Sequence, residues 1–413
     1  MSENAFTVLT RMWYGNAELE LRFPESWEVV PCCMSGHDAP RVTPEKIRAA
    51  FDQPIGAAPL RELARGRKEV AIIFDDLSRP TRVSELLPCV LEELEAAGVP
   101  DEAVRFVCAT GSHSAHTFED FQKKLGAETL DRFPVYNHNP YENCQYVGRT
   151  SQGTELSVNA EVMSCDLKIG IGSVVPHVQS GYGGGGKIVL PGIASIDSIE
   201  SFHRLEYRAR EAGRSDTVGP GRYVENPLLR DFTEAAGMIG LDFKIDTMIN
   251  GKAEPCAVFA GETEAEFNEA LKYAVPHYAT TVVPGVDVAV VNNLSKANEA
   301  IVGLLMGIPM LAEKGGDLVL IMDCPAGQVV HYLLGSFGKS TGGRLFRPLS
   351  FRLPWLKLIV MSPQFERSFG DWLAIPDTVW VRTWPEVVEI LNEDFPQGGR
   401  AAVIPDGTIQ YMA

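Results

Sequence analysis

No C-x-x-C pair occurs among the eight cysteines of this 413-residue chain (Cys32, Cys33, Cys89, Cys108, Cys144, Cys165, Cys256 and Cys324), which excludes a paired-cysteine zinc or redox motif. Some of them, such as Cys108 in the apolar run 106–109, sit where buried reduced thiols are expected. No stretch approaches the ~20 consecutive apolar residues of a membrane span, and MSENAFTVLTRMW lacks the basic-then-apolar pattern of a secretory signal. The expected compartment is the cytoplasm. Positive charge is scarce: 37 lysines and arginines face 54 aspartates and glutamates, a formal net charge of -17. Such a field repels phosphate backbones and anionic lipid, so neither nucleic acid nor a membrane is an expected partner. Internal repeats and low-complexity tracts are absent as well.

What is present is ample apolar material, 45% of the residues, in a chain longer than one core usually organises. Short β-branched runs recur at 70–74, 104–108, 167–171, 286–291, 318–322, 358–361 and 379–382. Helical patterns lie between many of them: 44–51 behind Thr43, 85–97 behind Ser84, 118–125 behind Thr117, then 196–211, 227–236 and 264–274. The alternation predicts an α/β protein of two domains, each with a largely parallel sheet flanked by helices, the active site lying in the cleft between them. The expected boundaries are 1–280 for an N-terminal cofactor-binding domain and 281–395 for a C-terminal domain. A final segment, 396–413, has the option of returning to the first domain.

The densest chemical signal is PHVQSGYGGGGKIVLPG, residues 176–192. Consecutive glycines bury nothing and cost backbone entropy, so they belong where the chain passes close to something or needs positive φ. The segment 181–187 satisfies G-x-x-x-x-G-K, but Ile188 stands where a phosphate-binding loop needs a magnesium-holding hydroxyl. The open alternatives are a backbone cradle for another phosphate-bearing ligand, built on Gly184, Gly185 and Gly186, and a plain surface loop. His203, in the next helical pattern, suits a rigidly held metal ligand or a satisfied core position. His113 follows a strand in Thr110-Gly111-Ser112-His113, His138 lies in a loop and His177 adjoins the glycines. Strand ends are where α/β proteins build sites. Asp76 and Arg79, also after a strand, either pair with each other or present the Arg79 fork to a carboxylate or phosphate.

Taken in order, D-x-x-R-P at 76–80, T-G-x-H at 110–113, Pro176-His177, the glycine–lysine segment 184–192 and His203 resemble the nickel-dependent lactate racemase family, from Tyr14-Gly15 to the segment 403–407. The resemblance implies a 2-hydroxy acid racemase or epimerase using a nickel-pincer nucleotide (nickel pyridinium-3,5-bisthiocarboxylic acid mononucleotide) joined covalently to Lys187. It implies His203 as the nickel ligand, His113 and His177 as the acid/base pair, and Asp76 and Arg79 as organisers of cofactor and substrate. Lys296 matches a lysine of the second domain and Asn293 a glutamine of the lactate enzyme, both on the substrate side. Ser114 replaces an arginine common in the family. With Asn293 it shortens the polar groups near the substrate, which admits an acid larger than lactate. The implied partners are the small hydroxy acid and the proteins that assemble the cofactor. The competing class is a phosphate- or nucleotide-binding, NTPase-like protein without racemase chemistry.

Overall fold

The computed structural model describes residues 4–334, 356–366 and 378–413. Its contacts divide into two compact units, one of residues 39–250 and 254–276, the other of 1–38, 251–253 and 277–413.

In the first unit six strands form one sheet in the order Pro255–Gly261, Phe243–Ile249, Leu167–Ser173, Val70–Asp75, Val104–Ala109, Val135–Asn137. All neighbours are parallel except the edge strand Pro255–Gly261. The chain starts at Val70–Asp75, winds outward through Val104–Ala109 and Val135–Asn137, then returns to lay Leu167–Ser173 on the other side of its starting strand. That reversal is a topological switch point, and its carboxyl edge is where open α/β sheets bind ligands. Val70, Ile72 and Phe74 enter an apolar core with Phe106, Ile169, Ile171, Phe243 and Ile245.

Local chemistry sets the helix starts. Thr43 accepts the Lys46 amide ahead of Pro44–Asp52, Ser195 accepts the Ser198 amide ahead of Ile196–Glu211, and Asn226 caps Pro227–Ile239. Thr117 and Asp120 form a reciprocal capping box on Phe118–Leu125. Ser84 does not cap as expected: it lies inside a 3-10 turn, Val83–Glu85, and Leu87–Ala96 begins afterwards with proline in its first turn.

The second unit holds another six-stranded sheet, ordered Val379–Val381, Leu356–Met361, Gly316–Ile321, Val288–Asn292, Arg400–Ile404, Glu28–Pro31, and every pairing is parallel. Its strands alternate between two apolar clusters: Ala289, Val291, Leu318 and Leu320 enter one, Val288, Val290, Val319 and Ile321 the other. Two boundary expectations are corrected here. Residues 1–38 pack with the C-terminal unit because Glu28–Pro31 pairs with Arg400–Ile404, and that strand is interior to the second sheet instead of returning to the first. Four residues of edge strand carry no signal of which sheet they will join. No helix among the described residues is long and apolar enough to cross a membrane.

An interior strand cannot be removed without orphaning the ladders on both its sides. Ending the chain at residue 396 is therefore expected to make residues 277–395 far more sensitive to limited proteolysis than in the full chain, with residues 39–250 still resistant. Unchanged resistance of 277–395 would refute the interior placement of Arg400–Ile404.

Candidate active site

Strand Val70–Asp75 ends in a turn through Asp76, Leu77, Ser78 and Arg79. Asp76 is 4% exposed and accepts from the Ser78 amide (2.9 Å) and hydroxyl, while its other oxygen meets His113 Nδ1 at 2.6 Å. Burial alone would raise the Asp76 carboxyl. The charge and hydrogen bond of His113, with Arg79 and His116 near, outweigh it and hold the carboxyl below the ordinary carboxylate range. Arg79 is half-buried, its Nη1 donating to the Ser78 carbonyl (2.8 Å) and hydroxyl (2.9 Å).

His113 ends the loop after the next strand. A carboxylate on Nδ1 fixes the imidazole with its proton there, so Nε2 is the atom that gains and loses a proton. His177 has a different setting. Its Nδ1 faces the Gln179 and Ser180 amides at 3.3 Å each and the Ser180 hydroxyl at 3.1 Å, and that hydroxyl also lies 2.9 Å from the Tyr182 carbonyl. The amides favour a neutral ring with the proton on Nε2. The hydroxyl, turned toward Tyr182, can accept Nδ1–H when the ring is protonated. Both states of His177 thus keep hydrogen-bond partners.

Lys187 sits in the buried turn Gly185–Ile188 and is 8% exposed. Several amides of the glycine loop are committed to the fold. The amides of Gly183, Lys187, Val189 and Leu190 donate to carbonyls of Val175, Gly184, Gly186 and Gly186, and Gly185 N–H donates to Asp246 at 2.6 Å. A β-carbon on Gly185, whose φ is +51°, would stand 2.7 Å from the Phe267 ring, and one on Gly186 would strike the Phe232 carbonyl. The close approach that Gly184, Gly185 and Gly186 permit on their β-carbon side is made by the protein's own Phe232, Asp246 and Phe267.

His203, on Ile196–Glu211, is 8% exposed and its Nδ1 donates to the Ile199 carbonyl at 2.8 Å, which leaves the lone pair on Nε2. Burial, reinforced by the nearby charges of Lys187 and His113 and opposed by the Ile199 bond, pushes its pKa down from 6.5 to about 4. A neutral imidazole with its lone pair on Nε2 is what a metal requires. Lys187 and His113 both carry charge that bears on His203. Their loops are joined, since Gly111 N–H donates to the Gly192 carbonyl at 2.8 Å.

In the other unit, Asn293 and Lys296 follow strand Val288–Asn292. The turn they form is held by its neighbour: Ser295 N–H donates to Asp406 (2.9 Å) and Lys296 N–H to Thr408 Oγ1 (3.2 Å). The Asn293 side chain is 1% exposed and donates to the Ile321 carbonyl at 3.0 Å, with its oxygen against Gly303. Only the nitrogen of that amide is committed to the fold; its oxygen has no hydrogen-bond partner among the described residues. Lys296 is 2% exposed.

Residues 14–215 match the model of the lactate racemase N-terminal domain. A lactate racemase of Thermoanaerobacterium thermosaccharolyticum is 27% identical over 288 residues, covering 68% of this chain and 66% of that protein; one of Lactiplantibacillus plantarum is 30% identical over 223 residues, covering 54% and 51%. The solved lactate racemase apoprotein of T. thermosaccharolyticum matches the fold with a TM-score of 0.71 at 21% identity, over 99% of this chain and all of that one. A Thermotoga maritima structure matches at 0.65 and 18% identity, over 90% and 99%. Over residues 14–215, just under half of its length, the chain is similar to the lactate racemase family.

Sequence reasoning missed one residue of this candidate site. Lys124, 1% exposed, places its ammonium 2.7 Å from Asp75 and 2.9 Å from the carbonyls of both Asp76 and Arg79, so it fastens the turn that carries Asp76. The signal was available: Lys124 shares the buried face of its helix with Phe121 and Leu125. The sequence also offered His138, which is structural here. Its Nε2 lies 2.9 Å from the Ala194 carbonyl and its Nδ1 3.1 Å from the Asn159 amide nitrogen.

Burial, opposed by the Ala194 bond, pushes the His138 pKa down from 6.5 to about 4. Between those values the unfolded chain binds the extra proton, so the stability this ring contributes is full above pH 6.5 and is lost as pH falls toward 4. From pH 7 to pH 5 the loss is about 2 kcal/mol. In His138→Gln, the drop in unfolding free energy between those two pH values, measured by urea denaturation, is expected to shrink by that amount. An unchanged drop would contradict the buried neutral ring.

Proposed function

We propose that the chain is an isomerase, a racemase or epimerase of a 2-hydroxy acid, that carries a nickel-pincer nucleotide on Lys187 with His203 as the protein ligand of nickel. The observation that supports it best is the neighbourhood of a carboxylate-oriented His113, a neutral His203 and a buried Lys187 at the carboxyl edge of the switch point. Among the described residues no group of three or more histidine, cysteine or acidic side chains is arranged to hold a metal. One imidazole donor suits an ion whose other ligands arrive with a chelating cofactor. The relatives are named for lactate; the acid taken by this chain is proposed more broadly, as a 2-hydroxy acid, because Ser114 and Asn293 depart from the family's polar groups.

The hydrogen on C2 of such an acid is too weakly acidic for an unaided imidazole. When bound, the cofactor supplies a reversible acceptor for it as hydride. The side chains then have a proton to manage. His113 Nε2 takes the hydroxyl proton while Asp76 stabilises the imidazolium that results, and His177 serves the opposite enantiomer, its Nε2 delivering or receiving the proton as Ser180 satisfies Nδ1 in either state. Arg79 and Lys296 are the cations proposed to attract the substrate carboxylate against a chain of net charge -17.

In a host that makes the cofactor, Lys187→Ala is expected to lose the mass adduct seen by intact-mass analysis, and His203→Ala to lose nickel while staying folded. An adduct on the first variant, or stoichiometric nickel in the second, would overturn these assignments. His113→Ala and His177→Ala are expected to keep adduct and metal yet to turn over ~10²- to 10⁴-fold more slowly. Substrate deuterated at C2 is expected to retain its label in the inverted product. Washout of the label into water would instead indicate direct proton abstraction.

A further inference from the structure

Two charged residues lie inside a strand otherwise built for burial. Phe243–Ile249 reads FKIDTMI, every residue of it is buried, and both Lys244 and Asp246 are 0% exposed. Alternation puts them on the face opposite Phe243 and Ile245, which enter the apolar core. The neighbouring strand makes room with Gly170 and Gly172 in register against them; a β-carbon on Gly172 would stand 3.2 Å from Asp246 Oδ1 and 3.3 Å from Lys244 Nζ. Lys244 Nζ donates to Asp246 Oδ1 at 2.6 Å and to the Ile245 carbonyl at 2.9 Å. The other carboxylate oxygen accepts Gly185 N–H at 2.6 Å.

Glu266 is the third member, also 0% exposed. Burial first, then the charge of Asp246, push its carboxyl well above the ordinary range. A buried ion pair of this kind is weak evidence for stability, because desolvation consumes most of the attraction and apolar replacements often fold as well. What the group does achieve is geometric. It presents one carboxylate oxygen to a glycine turn two residues before Lys187.

We propose that Asp246 is the positioning residue for Lys187: its carboxylate occupies the place a bound anion would take on the glycine turn, and Lys244 aims it there. The functional meaning rests on Lys187 as the attachment site, whereas the contact itself does not.

The test follows from acceptor counting. In Asp246→Asn one oxygen remains, the buried Lys244 ammonium takes it, and the amide NH2 is turned onto Gly185 N–H, donor against donor. The turn should loosen. Acetylation of Lys187 in the cofactor-free full chain by N-acetoxysuccinimide, followed by peptide mass spectrometry, is expected to be at least about tenfold faster than in the unaltered protein. Adding Lys244→Met releases the Asn oxygen for Gly185, so the Lys244→Met/Asp246→Asn double variant should return to within about threefold of the original rate. Lys244→Met/Asp246→Leu keeps the region apolar but offers no acceptor, and should label fast again. If Asp246→Asn alone does not fold, the two double variants still decide the matter by their difference. Equal labelling in the two doubles, or an original rate in a folded Asp246→Asn, would overturn the assignment. The mass adduct in a cofactor-making host is scored separately. Its absence from the unaltered chain would refute Lys187 as the attachment site and leave the labelling result standing.

Discussion

A parallel strand covered on both faces can carry polar side chains at little cost only where it ends. Most of the chemistry of this protein obeys that constraint. Asp75 and Asp76 end one strand of the first sheet, the loop to His113 follows its neighbour, and Pro176-His177 follows the strand across the switch point. The sheet brings together at its strand ends residues up to about a hundred positions apart, with Lys244 and Asp246 the exception inside a strand. In the second unit the same rule puts Asn293 to Lys296 beside Asp406 to Thr408, at the ends of two adjacent strands.

The rule also explains what was legible beforehand. Strands buried on both faces read as unbroken apolar runs, so 70–74, 104–108 and 318–322 announced themselves, and Thr43, Thr117 and Ser195 announced the helices they cap. Phe243–Ile249 escaped notice because Lys244 and Asp246 interrupt its run, and the interruption was the informative part. Glu28–Pro31 and Arg400–Ile404 were misassigned for a different reason: pairing partners nearly four hundred residues apart leave no local trace. Within the site, ordered motifs flagged His113, His177, Lys187 and His203. The glycines were ambiguous in the sequence, since a close approach by the chain's own phenylalanine and by a ligand require the same residue.

Charge in this molecule is distributed by depth. The surface carries the excess of acid, while Lys124, Lys187, Lys244 and Lys296 are all withdrawn from solvent. Two of these ammonium groups sit on aspartates, Lys124 on Asp75 and Lys244 on Asp246, and Gly172 separates the two pairs so narrowly that a β-carbon there would lie 3.6 Å from Asp75 and 3.2 Å from Asp246. A strip of alternating buried charge therefore runs beneath the carboxyl edge of the sheet. It favours one arrangement of the overlying loops, because any other would leave an ion unsatisfied in a medium that tolerates none.

The hydrogen bond from Gly111 to the Gly192 carbonyl joins the His113 loop to the segment that carries Lys187. At Gly192 a side chain has no room, since its β-carbon would run into the Ile188 carbonyl. Two loops stitched in this way drift together or not at all. A lineage exploring new substrates is then free to vary what surrounds these loops, as Ser114 does here, while the separation between the residue proposed to move the proton and the residue proposed to hold the cofactor is inherited as a single part.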